Sequence, residues 1–304
     1  MDGIIAINKA TGMTSHDVVA RVRKLLKQKR VGHTGTLDPA ASGVLPICVG
    51  QATRVAEYLS GSGKAYQAEI TFGVVTDTYD AEGTIVRTGD ASGLVLAQIT
   101  EALPHFLGPQ MQRPPCYSAI KIQGQPAYKL MRLGEEVTLA TRPIEIFQLQ
   151  VVAWQPPTLT LAIECSKGTY IRSLAYDLGE QLGCGAYLTA LCRTRSGPFQ
   201  LAESVTLEQL AEAIVQHTVQ QHVFSADYVL HDYPALTLDA ATIERVLHGN
   251  SFPHQGSFTE PLVDLARIYD TDGHFLAIAT WDERQHSWQP KKVFSWSAPD
   301  GTAS

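Results

Sequence analysis

The 304-residue chain reads as an α+β protein on three observations. Runs of alternating apolar and polar residues, such as Tyr66, Ala68, Ile70 and Phe72 set between Gln67, Glu69 and Thr71, mark half-buried strands. Apolar residues three and four apart, such as Ile171, Leu174, Leu178 and Leu182, mark helices. The two kinds of segment are mixed along the chain, and the part beyond Tyr233 holds mostly short strands.

Taken in order, GIIAINK (3–9) is a short buried strand and TSHDVVARVRKLLKQKR (14–30) a helix. Thr14 or Ser15 caps that helix, Asp17 lies in its first turn, and Val18, Val22, Leu25 and Leu26 share a face. Arg21, Arg23, Lys24, Lys27, Lys29 and Arg30 crowd the remainder, as a plain solvated face or as a surface for a polyanion. HTGTLDPAASGVLP (33–46) is a turn-rich loop. ATRVAEYL (52–59) reads as a helix, KAYQAEITFGVV (64–75) as a strand and TDTYDAEG (76–83) as a turn. LVLAQITEALPHFLG (94–108) is a helix ended by Gly108, while YSAIKIQG (117–124), IEIFQLQVVAW (144–154) and LTLAIEC (159–165) are strands. TYIRSLAYDLGEQLG (169–183) and LEQLAEAIVQHTVQQH (207–222) are helical. Past HDYPALTL come a short helix, LDAATIERVLHG (238–249), and two strand pairs, 265–281 and 287–296, with Asp272-Gly273 as a hairpin signal. These changes place a boundary near Tyr233, giving a domain over 1–232 and a small barrel over 233–304.

The net charge of −6 is unevenly spread. Residues 1–54 carry eight Lys or Arg against three acids, a net of +5, whereas residues 201–304 carry five against fourteen, a net of −9. Screening limits each charge to roughly 10 Å at ordinary salt, so the basic end suits a nucleic acid even in an acidic protein. Cys48, Cys116, Cys165, Cys184 and Cys192 are odd in number and never spaced C-x-x-C, against a disulfide framework or a structural zinc site. No apolar run approaches the ~18 residues of a membrane span, and the start lacks the features of a secretory signal. A cytoplasmic protein is expected.

Two stretches carry candidate chemistry. GHTGTLDPAASG fits neither the phosphate-loop pattern G-x-x-x-x-G-K-[ST] nor G-x-G-x-x-G. Its glycines permit close approach of another chain, and Asp38 before Pro39 is biased into a turn, compatible with a plain loop or with a catalytic carboxylate. ECSKGTYIRSLAYDLG puts Lys167, Tyr170 and Arg172 at a strand-to-helix junction, where backbone N–H groups also point outward. Arg172 there either satisfies a structural acid or pairs with a carboxylate from elsewhere and favours its ionised form. A two-carboxylate hydrolase would need Asp77 or Asp80 beside Asp38. H-E-x-x-H, clustered His and Cys, and G-x-S-x-G are all missing from the sequence, which argues against zinc-protease and serine-hydrolase chemistry.

With these residues in place, the chain closely resembles the TruB family of bacterial tRNA pseudouridine synthases. The matching motifs are KATGMTS (9–15), GHTGTLDPAASGVLPICVGQATR (32–54), KAYQAEITFGVVTDTYDAEG (64–83), RPPCYSAIKIQGQPAYKLMRLGEEV (113–137) and CSKGTYIRSLAYDLGEQLGCGAYLTALCRTRSGPF (165–199). The tail from Tyr233 looks like a PUA domain, a small RNA-binding barrel. The resemblance implies a pseudouridine synthase fold, with a mixed, largely antiparallel sheet flanked by helices, and isomerisation of the uridine at position 55 of the tRNA T loop. It implies Asp38 as catalytic aspartate, Tyr66 as the tyrosine that stacks on the base and takes part in proton removal, and Arg172 as the arginine paired with the aspartate. Tyr170 and Leu191 match pocket residues, His33 a histidine that stacks in the opened T loop, and Lys9 a supporting residue. No metal or other cofactor, no obligatory protein partner and a monomer are expected. Ala10 stands where the family commonly has Pro, and Phe72 where it commonly has Leu. The acidic tail suits phosphate poorly, so RNA affinity is expected mainly within residues 1–200.

Overall fold

The computed structural model describes residues 1–118, 120–122, 124–133, 135, 137–253 and 264–295. A largely antiparallel sheet forms the body. Its main path runs Gly3–Lys9, Ser42–Val49, Ala186–Ser196, Lys64–Phe72, Thr158–Cys165, Arg142–Gln155 and Gly108–Gln112, with Val31–His33 and Phe199–Gln200 paired at its margins. Within that path Cys192 and Arg193 pair in parallel with Ser42 and Gly43. Helices Ser15–Leu25 and Ile171–Gln181 send Val18, Val22, Leu174 and Leu178 into a core shared with Ile5, Leu45, Ala68, Ile70 and Leu161.

Two strands next to the sequence's most telling motifs were not expected. Ser42–Val49 contains Pro46, and proline ordinarily argues against a central strand because it cannot donate to the ladder. It fits because 42–43 pair with the Ala186–Ser196 strand and 47–49 with Val31–His33, so Pro46 lies in the gap between those two neighbours. Its carbonyl accepts from Thr34 N. Ala186–Ser196 hides its alternation behind register shifts at 188/190 and 193/195.

Other elements differ in extent. The first helix stops at Leu25 rather than near residue 30, because Lys27 turns to φ 50° and Arg23 reaches back to the Val31 carbonyl. Thr14 caps its N-terminus in a reciprocal bond with Asp17. The strand expected over 64–75 breaks at Gly73, φ 93°, and resumes as Val74–Thr76. The helix expected over 94–108 is α only over Leu96–Ala102, since Pro104 turns the rest into a 3-10 helix. The strand expected over 117–124 is overturned among the described residues: only Lys121–Ile122 pair, with Gln125–Pro126, around Gly124 at φ 87°. No helix of the described residues is long and apolar enough to cross a membrane.

A second sheet orders Ala235–Thr237, Leu265–Tyr269, Phe275–Asp282, Ser287–Val293 and Phe252–Pro253, with the Ala240–Leu247 helix against it. The Asp272-Gly273 signal is a turn in which Asp270 Oδ1 accepts from the backbone N–H groups of Asp272 and His274. This sheet is not a free appendage. Phe275, Ile278 and Phe294 join one apolar cluster with Ile4, Ala6, Val44, Cys48 and Phe199 of the main body. Arg54 donates to the Val293 carbonyl, Lys292 meets Glu57, and Tyr269 donates to Asp227 at 2.5 Å.

Candidate active site

The loop holding Asp38 is built by the first motif as much as by its own residues. Ser15 Oγ accepts from Leu37 N at 2.9 Å and donates to Leu37 O at 3.0 Å. The wholly buried Lys9 ammonium donates to the carbonyls of Ala10, Met13 and Pro39 at 2.9, 2.8 and 3.2 Å. Gly12 N also donates to the Pro39 carbonyl. Asp38 is thus flanked on both sides by pinned residues, and its position is set before any substrate arrives. Burial lowers the Lys9 pKa, partly offset by the attraction of Asp38. Lys9 itself does not line the pocket.

Asp38 stands at a cavity of about 290 Å³ lined also by Gly35, Leu37, Lys64, Tyr66, Tyr170, Arg172, Leu191 and Arg193. Its carboxylate, 43% exposed, meets Arg172 Nε at 3.0 Å. Arg172 is buried in the first turn of the Ile171–Gln181 helix, and its other nitrogens donate to the carbonyls of Thr78 and Tyr117. Arg172 Nη1 lies 3.4 Å from Asp80 Oδ2. One guanidinium therefore serves two carboxylates from separate segments.

The sequence offers Asp80 only as the second acid of a hydrolase, and no local pattern in it signals the contact with Arg172. Its buried carboxylate accepts from Thr78 Oγ1 and Glu82 N and faces the arginine rather than the cavity. That geometry fixes the arginine and offers no proton to a leaving group, so the two-carboxylate hydrolysis reading loses its second catalytic acid. Asp77 instead accepts from Thr84 N and closes the turn. The turn is held by Leu188 N bonding to the Tyr79 carbonyl and by Tyr79 stacking on Tyr176 at 4.1 Å.

Tyr66 forms a wall of the cavity from the Lys64–Phe72 strand, opposite Arg193 in register. Burial pushes its phenol up to about 12, so the hydroxyl is protonated across the neutral range. The Arg193 guanidinium is hydrogen-bonded to it, and the Asp38 carboxylate also acts on it. Arg193 is fully buried, donates to Val44 O at 2.7 Å and Gly35 O at 3.1 Å, and so ties together the two ends of the Asp38 loop. Gly43, φ 103°, lets its strand lie against the backbone of Arg193, because a methyl there would come within 2.2 Å of the Arg193 carbonyl oxygen. Tyr170, whose phenol burial also raises, and Leu191 line the same cavity.

His33 lies outside the cavity lining. Its ring stands edge-on to His16 at 5.2 Å, and burial, followed by the charges of His16 and Arg193, lowers its pKa, favouring a neutral ring at pH 7. The structure thus gathers Asp38, Tyr66, Arg172, Tyr170 and Leu191 in one cavity and leaves Lys9 beneath it and His33 outside it.

Residues 23–171 match the family described as "TruB family pseudouridylate synthase (N terminal domain)", and residues 172–233 match the "tRNA pseudouridylate synthase B C-terminal domain". The chain is 49% identical over 252 residues, 82% of each chain, to the tRNA pseudouridine synthase B of Symbiobacterium thermophilum. It is 40% identical over 303 residues, 100% of each chain, to that of a Dehalococcoides mccartyi strain. The chain belongs to the TruB family of pseudouridylate synthases. As in that family generally, its chemistry is that of an isomerase. A chain from a solved Cbf5–Nop10–Gar1 complex superposes with a TM-score of 0.74 at 26% identity, over 96% of this chain and 85% of that one. The TruB family fold and its pseudouridine synthase sheet are therefore those expected from the motifs.

Proposed function

We propose that this TruB family member converts the uridine at position 55 in the T loop of tRNA to pseudouridine, after turning that nucleotide out of its stack. The observation that carries the reading is the Asp38–Arg172 pair at 3.0 Å on a cavity walled by Tyr66, in a chain alignable end to end with relatives named for tRNA. The reaction breaks the C1′–N1 bond, forms C1′–C5, and moves the C5 proton away, so it neither oxidises nor hydrolyses its substrate. A single nucleophilic carboxylate serves such a reaction. Asp38 is exposed enough to reach the ribose, and Arg172 holds it in place.

Extruding a base costs a few kcal/mol, offset in part by stacking on an aromatic wall. Tyr66 supplies that wall, and the neutral His33 ring suits stacking in the opened loop. The enzyme works on free tRNA in the cytoplasm, alone and without a guide RNA. Residues 1–232 form the catalytic domain and 233–304 the PUA-like domain. The test is to incubate purified protein with unmodified tRNA and map pseudouridine. Product at the T-loop uridine without added RNA or protein is expected; product elsewhere, or only with such additions, would contradict the reading.

A further inference from the structure

The charges lining the cavity do not balance. Its lining carries four cations, Lys64, Lys167, Arg172 and Arg193, against one carboxylate, Asp38. Arg172 is offset by Asp38 and, behind it, by Asp80. Among the described residues no carboxylate lies within ion-pair distance of the other three. The charged groups acting on Lys64 are Arg193 and Lys167, with the Cys165 thiol the one acidic neighbour. Cations are rarely buried unless paired, yet Lys64 is 8% exposed and Arg193 not at all.

The placement of Lys64 also suits a ligand. Its ammonium spends one hydrogen bond on the Ser62 carbonyl, at 3.1 Å, leaving two donors. Its stem crosses Gly35, where an added methyl would come within 3.3 Å of Cε, so the glycine lets the side chain pass over the Asp38 loop. Lys167 stands exposed at the cavity rim, and the helix that follows has neither a side-chain cap nor an acid in its first turn. A uracil ring is neutral and answers none of this surplus. The nucleotide that carries it arrives with a phosphodiester on each side.

We propose that Lys64, with Lys167 at the rim and Arg193 behind, forms a subsite for one of the two phosphodiesters flanking the target uridine. This rests on the reading of the cavity as a pseudouridine synthase site and adds a backbone contact to the base contacts. The anchored phosphate holds the strand at the point where the nucleotide leaves its stack, so part of the extrusion cost is met by charge–charge attraction in a poorly solvated pocket.

The test uses T stem-loop RNAs with a neutral methylphosphonate replacing either the 5′ or the 3′ phosphate of the target uridine, with binding read on full-length Asp38→Asn protein. One of the two replacements is expected to weaken binding about tenfold. In the Lys64→Met, Asp38→Asn double variant, the parent RNA is expected to bind about tenfold more weakly, with no further loss from the methylphosphonate. The slope of log affinity against log salt should fall by about 0.7, and Lys64→Arg should restore most of the binding. Because the RNA-side change leaves the protein intact, poor folding of the lysine variant does not spoil the test. If wild-type protein makes pseudouridine but both methylphosphonate RNAs bind as tightly as the parent, the subsite is overturned and the functional reading stands. No pseudouridine from wild-type protein on unmodified RNA would overturn both.

Discussion

At the scale of single residues, Arg172 is the hinge of the site, since it contacts Asp38 and Asp80 with different nitrogens. Asp80→Asn removes one of the two charges that orient it while leaving the Asp38 contact available. We expect kcat to fall at least tenfold with KM little changed, checked by steady-state kinetics on a T stem-loop. Arg172→Lys should cost more, because a lysine cannot present two directed N–H groups to separate carboxylates. Lys64 provides a test by pH. Burial, then Arg193 and Lys167, depress its pKa to about 8, so its charge is present at pH 7 and lost as pH rises through about 8. Bound phosphate would hold the proton longer. RNA affinity of the Asp38→Asn protein should therefore weaken between pH 7 and 9, and Lys64→Arg, which keeps its charge, should flatten that profile. The roles of Asp38, Tyr66 and Arg172 came from motif likeness; their closeness in space could not be read from spacing, since they lie on three segments far apart in the chain.

At the scale of elements, the loop around Asp38 is legible only when two motifs are read together. KATGMTS looks like an ordinary strand-to-helix turn, and HTGTLDPAASG like a loop rich in turn residues. The structure makes them one device, with Ser15 and Lys9 fastening the backbone on either side of Asp38. Lys9→Met keeps the stem but takes the ammonium donor from the Ala10 and Met13 carbonyls and leaves the Pro39 carbonyl to Gly12 N alone. It should destabilise the protein by about 2–3 kcal/mol, read as a lower urea midpoint, and reduce kcat because the loop loses its tether. The alternation of Lys64–Phe72 and of Thr158–Cys165 announced those strands plainly. Ser42–Val49 and Ala186–Ser196 were not announced, because a proline and two bulges break the period-two pattern. These irregular strands carry or flank the cavity; Leu191 and Arg193 belong to the second of them. Sequence periodicity fails here where the backbone bends to hold a site.

At the scale of the whole molecule, charge and packing divide the labour differently. The exposed basic residues of the first helix and the cavity cations lie in the part of the chain expected to hold RNA, and the acidic tail does not. Yet the tail shares an apolar cluster with the first strand and with Val44 and Cys48, beyond the Asp38 loop. Ending the chain at Asp232 would remove Phe275, Ile278 and Phe294 from the cluster that also holds Ile4, Val44 and Phe199. We expect a loss of about 3 kcal/mol or more of stability, seen as a lower urea midpoint. A folded truncation with unchanged stability would show that the shared cluster matters little. Charge segregation was visible in the sequence; the shared core was not, because no local pattern tells which strand face meets another domain. The account as a whole stands on one carboxylate meeting the target nucleotide. Its most direct test is tritium release from C5-labelled uridine in a T stem-loop, comparing wild type with Asp38→Asn. The account predicts steady release by wild type and none by the variant, with RNA binding retained; release by the variant at a comparable rate would contradict it.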